Sequence, residues 1–115
     1  MRVTSELWVS ALLRRVFSAG GFAAVIRRGA GDAGAIFIVC RSRLGVTTLF
    51  GPAAQASYDE ARPADRMFTA LMASDDPNSI DGRIERETRF DPDLWLVEIE
   101  ADASTLQDVV PVARQ

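Results

Sequence analysis

Two residue types are missing outright from this chain of 115 residues, histidine and lysine, so all 13 of its basic residues are arginine. Their absence removes the usual neutral-pH general base, the usual zinc ligand, the Schiff-base amine and the lysine that cradles a nucleotide phosphate. Cysteine is scarce too: the single copy, Cys40, lies inside an apolar run, which excludes an internal disulfide and reads as a small buried hydrophobe. A reactive thiolate would need exposure and adjacent positive charge. No apolar stretch approaches the ~20 residues of a membrane-spanning helix, and the first residues lack a basic segment leading to an apolar one and a small-residue cleavage site. The expectations are therefore a cytoplasmic protein with no membrane contact, no cofactor, no metal and no assignable catalytic residue. Carboxylates, hydroxyls, Tyr58 and arginines are what remain for chemistry, so an enzyme ranks third among the readings.

What is present suits one globular domain. The chain is 48% hydrophobic and 25% charged with a mean hydropathy of +0.05, too apolar for disorder and long enough for one core without staples. The formal charge of −3 is unevenly placed. Residues 1–57 carry seven arginines against Glu6 and Asp32, giving +5; residues 58–115 carry six against fourteen carboxylates, giving −8. Within one domain the halves neutralise each other; a basic arm for nucleic acid is the alternative.

The pattern of the chain centres on Gly34–Cys40 (GAIFIVC), a β-branched and aromatic run that reads as a strand in the middle of a sheet. Before it, Thr4 or Ser5 caps a helix whose Val9, Leu12, Leu13, Val16 and Phe17 form one apolar stripe, with Gly20-Gly21 as its stop. Phe22–Arg28 is a first strand, the glycine-rich 29–33 a hairpin turn, and Val46–Phe50 a third strand, together an antiparallel meander. Residues 53–65 form the longest loop, and Arg66–Met72 fits a strand or a helical turn, with the strand preferred. A second helix runs from about Pro77 or Ser79 to Arg89 behind the Asp75-Asp76 cap, with Ile80 and Ile84 as a thin stripe, and Leu94–Glu100 is the last strand. The expected architecture is α+β over residues 1–101: a mostly antiparallel sheet of four to five strands, elements in the order α-β-β-β-β-α-β, and helices packed on one face. Residues 102–115 are expected to be a C-terminal tail, loosely ordered or docking on a partner.

Several motifs dissolve on inspection. Residues 29–34 spell G-x-G-x-x-G (GAGDAG), but a dinucleotide fingerprint needs those glycines between a strand and a helix, and here a strand follows. Asp32 would suit a Mg²⁺-dependent nuclease only if the next strand carried Glu-x-Lys, and Val46–Phe50 has neither residue. The mixed charges from Arg83 to Asp93 read as a solvated, self-paired helix face, Glu85 and Arg89 standing at i, i+4.

Four segments carry a family resemblance: SELWVSALLRR (5–15), GGFAAVIRRGAGDAGAIFI (20–38), LFGPA (49–53) and, most specifically, RFDPDLWLVEIE (89–100). They resemble a small alphaproteobacterial family known only as domain of unknown function number 1491. The resemblance implies a small cytoplasmic domain that usually stands alone, with no assigned activity, cofactor or catalytic residue; residues 54–75 and the tail after Ala101 match nothing in it. The leading functional expectation is a non-enzymatic bacterial interaction module, homodimeric or bound to another protein, with Trp8 and Trp95 as interface anchors. The alternative is an anion site for nucleic acid or a small phosphate or carboxylate, formed by Arg27, Arg28, Arg41 and Arg43 near the meander turns.

Overall fold

A computed structural model of the chain describes residues 3–42, 44–53, 66–101 and 103–112. The elements run α1 (Ser5–Ser18), β1 (Phe22–Arg27), β2 (Ile36–Arg41), β3 (Thr47–Pro52), β4 (Phe68–Ser74), α2 (Pro77–Phe90), β5 (Trp95–Glu100) and α3 (Ala103–Val109). The fold is α+β, and the expected order of elements holds as far as β5. Most of the loop expected at 53–65 lies outside the described residues, as do Tyr58 and Arg43.

The sheet has five strands in the order β1-β5-β2-β3-β4. Of the antiparallel meander expected over β1, β2 and β3, only the β2–β3 pairing forms, and β4 continues it antiparallel to β3. The expected β1-β2 hairpin does not form, because β5 lies between those strands, antiparallel to β1 and parallel to β2. The sheet is therefore mixed, and residues 28–35 are a connection that steps over one strand. The glycines in that connection serve close approach. A methyl group at Gly29 would overlap the Asp93 carbonyl oxygen, and one at Gly34 would come within 2.5 Å of the same oxygen. Ala30 N–H donates to that carbonyl at 2.9 Å, and the Trp95 indole N–H donates to the Ala30 carbonyl at 2.8 Å.

The same connection finishes the first helix. Thr4 caps α1 by accepting from Leu7 N–H. The amides of Ser5 and Glu6, which have no intrahelical acceptor, donate to the carbonyls of Asp32 and Gly31 at 3.2 and 3.0 Å. The buried Ser5 hydroxyl donates to the Gly34 carbonyl at 2.6 Å. One loop thus satisfies the helix N-terminus on one side and grips the entrance of β5 on the other.

Helices cover both faces of the sheet, which corrects the expectation of helices on one face only. Alternation along β2 divides the core: Ile36, Ile38 and Cys40 pack with Val9, Leu12 and Val16 of α1 and Val109 at the end of α3, whereas Phe37 and Val39 pack with Leu49, Leu96 and Ile84 of α2. A strand buried on both faces has no polar side to show, hence the unbroken apolar run. Residues 103–112, expected as part of a tail, contribute α3, bury Val109 and Val110, and bridge Val112 to Phe68 of β4. The second helix is as shallow as its thin stripe suggests, with Ile80 its one fully buried residue.

The close approach makes opposite predictions for two kinds of glycine. Gly29→Ala and Gly34→Ala press a methyl group on the Asp93 backbone just before β5 and should cost about 1–3 kcal/mol or prevent folding. Gly82→Ala, inside α2 with nothing within 4 Å, should stabilise by up to about 1 kcal/mol. Urea denaturation of the three variants checks both signs.

Candidate functional site

Of the four arginines proposed from the sequence, three are described, and Arg41 stands apart from Arg27 and Arg28. Arg27 is in register with Leu96 near the start of β5, whereas Arg41 is in register with Glu100 at its end, four residues on, or about 13 Å along the strand. Arg27 donates to the Pro92 carbonyl at 2.7 Å. Arg28 pairs with Glu6 at 2.7 Å and lies over the Trp95 ring, 5.0 Å from its centroid. Arg41 pairs with Glu98 at 3.1 Å, and Arg43 lies outside the described residues. Of the two tryptophans proposed as interface anchors, Trp95 is buried and Trp8 half-buried. Trp95 is 1% exposed, and Trp8 packs on the core with its ring 5.4 Å from that of Phe68.

Cys40 is buried at the wall of an apolar recess of about 200 Å³, shared with Phe50, Leu106, Val110 and Val112. Among the described residues no charged side chain lines that recess. Burial therefore pushes the thiol up from 9.0 to about 12. Among the described residues no three His, Cys, Asp or Glu side chains converge, and no helix is long and apolar enough to cross a membrane.

Two surfaces stand out instead. The first is the outer edge of β1, an end strand whose Phe22 and Ile26 are 49% and 56% exposed. Phe17, half-exposed on α1, meets Phe22 edge to face at 6.0 Å, so the predicted apolar stripe of α1 overhangs this edge instead of ending in the core. The second is a cleft of about 440 Å³ at the carboxyl ends of β2 and β5, the sheet's one parallel pair. Arg41, Ser42, Glu100 and Ala101 form its floor, the α1–β1 turn (Ala19–Phe22) one wall, and Thr105 of α3 another. Gly20, at a φ of +86°, makes that turn possible. No local pattern signals this cleft, since Arg41 and Glu100 lie far apart along the chain and meet only through the parallel register.

A family model described as "Protein of unknown function (DUF1491)" matches residues 3–107. The chain belongs to the DUF1491 family. All of it aligns with 98% of protein Atu0922 from A. tumefaciens, known from a solution structure, at 47% identity and a TM-score of 0.84. It is also similar to the crystal structure of a DUF1491 family protein from Caulobacter crescentus CB15, at 34% identity over 88% of both chains and a TM-score of 0.72. An NMR structure of a DUF1491 family protein from the same organism matches over 99% of both chains, at 33% identity and a TM-score of 0.77. No curated protein matches. The stretch that fits the DUF1491 model runs from before α1 into α3, so the β1 edge and every residue lining the cleft fall within it.

The buried thiol sets an expectation for pH. Because the folded value lies above the unfolded one, the native state holds its proton longer, and this contribution to stability is whole below about pH 9 and is lost as pH rises toward 12. Native protein at pH 8 should react with a thiol reagent far more slowly than unfolded protein, and Cys40→Ala should flatten the alkaline fall in stability.

Proposed function

We propose that this protein is a non-enzymatic, cytoplasmic interaction module that pairs with a second copy of itself along the outer edge of β1. The observation that carries this reading is the uncharged, unprotected character of that edge. An end strand presents main-chain N–H and C=O groups that invite another strand unless lysine, proline or a covering segment blocks them. Phe22–Ile26 (FAAVI) has no charge and no proline. The opposite end strand is engaged differently: Phe68 of β4 donates its N–H to the Pro111 carbonyl and bridges to Val112.

A second copy fits the β1 edge because the segment complements itself. An antiparallel pair centred on Ala24 sets Phe22 of one protomer opposite Ile26 of its partner, joins the two sheets and brings no like charges together. The bulge between Val25 and Arg27 limits how far the pairing runs. So short a contact belongs to the small, weak class of interfaces, below about 1,200 Å². A lone buried thiol is at home in a reducing compartment, which supports the cytoplasmic placement.

Sedimentation equilibrium tests the proposal. A concentration-dependent dimer is expected, and Ile26→Lys, which sets a charge against Phe22 across the pairing, should weaken it about tenfold or more while leaving the fold intact, because Ile26 is already exposed. A monomer at high micromolar concentration, or a dimer indifferent to Ile26→Lys, refutes it.

A further inference from the structure

We infer that the cleft at the carboxyl ends of β2 and β5 binds a free, zwitterionic α-amino acid with an apolar side chain, its carboxylate on Arg41 and its ammonium group on Glu100. Three features lead there. The position is the first: where parallel strands end together, the sheet leaves a crevice that loops can wall but strands cannot fill. Its volume of about 440 Å³ lies within the ~300–1,000 Å³ common for small-ligand sites.

Charge is the second. Arg41 and Glu100 are register partners on neighbouring strands, so their Cα atoms stand about 4.8 Å apart. They are not paired with each other. Arg41 directs its Nε to Glu98 at 3.1 Å, which leaves its terminal nitrogens as donors, and Glu100 is exposed with no hydrogen-bonding or ionic partner among the described residues. Among the described residues lining the cleft there is one guanidinium and one carboxylate, so a lone anion on Arg41 also faces Glu100 and a lone cation on Glu100 also faces Arg41. A molecule carrying both charges on adjacent atoms answers both groups.

The walls are the third. Ala19, Phe22 and Ala101 present apolar surface beside the charged floor, and the half-exposed Phe22 ring offers a face to an apolar side chain. The Ser42 hydroxyl accepts from Leu44 N–H at 3.1 Å and keeps its own proton to donate to a carboxylate.

Blocking one charge of the ligand at a time tests this. L-phenylalanine, N-acetyl-L-phenylalanine (carboxylate only) and L-phenylalaninamide (ammonium only) are titrated into the full chain while the amide NMR signals of Gly20, Gly21, Ser42 and Ala101 are followed. Saturable shifts confined to the cleft are expected for L-phenylalanine, with both blocked forms weaker by about tenfold or more. Glu100→Gln should weaken L-phenylalanine toward the N-acetyl compound while the latter, freed of a like charge, binds no more weakly than before; Arg41→Gln should weaken both. Should Arg41→Gln fail to fold for want of its Glu98 partner, Glu100→Gln and the blocked ligands decide alone. Absence of localised shifts, a blocked form that binds as tightly as L-phenylalanine, or affinity indifferent to Glu100→Gln overturns the inference. Ile26→Lys, which tests the dimer, lies outside this cleft, so either reading can fail without the other.

Discussion

The fold rests on a backbone-to-backbone contact: the connection between β1 and β2 crosses the entrance of β5 so closely that two of its positions cannot carry a side chain. That crossing lets the last strand of the sheet occupy the slot between the first two. Everything else in the sheet follows from it. β2 becomes central and buried on both faces, β1 is displaced to an open edge, and the one parallel pair is created, with its carboxyl ends gathered at a common rim. A hairpin between β1 and β2 would have produced none of these.

The connection is held from two sides by groups that would otherwise lack partners. Its carbonyls accept from the first amides of α1 and from the Trp95 indole, while its own amide at Ala30 donates to Asp93. Buried main-chain polar groups must be paired, and helix ends leave several unpaired by construction. Meeting both needs with one short segment couples α1, the connection and β5, so a change in any of the three is felt by the others. The G-x-G-x-x-G spelling at residues 29–34 is the trace of this coupling, not of a phosphate site.

Electrostatics organises little of this. Among the described residues, the charges of the positive first half and the negative second half meet one pair at a time. They break up into local pairs: Arg28 with Glu6, Arg41 with Glu98, and Arg83 with Glu87 and Arg89 with Glu85 along α2. Exposed pairs of this kind contribute little to stability. Their effect on the surface is larger, because they use up the arginines that might have formed an anion site. Arg41 also lines a cleft, beside its register partner Glu100.

Local chemistry was legible in the residues themselves. Helix caps at Thr4 and Asp76, the apolar stripe of α1, the thin stripe of α2, the strand character of 36–41 and the inert thiol of Cys40 all depend on side-chain type and short-range spacing, which the chain states directly. Strand neighbours were not legible. The turn chemistry of GAGDAG fits a hairpin as readily as a crossing, and only the competition of β5 for both adjacent edges decides between them. The burial of Trp95, the separation of the arginines, the helix on the second face and the Arg41–Glu100 cleft all descend from that choice. Each is a contact between residues remote in the chain, fixed by the packing of the whole sheet and carried by no local pattern.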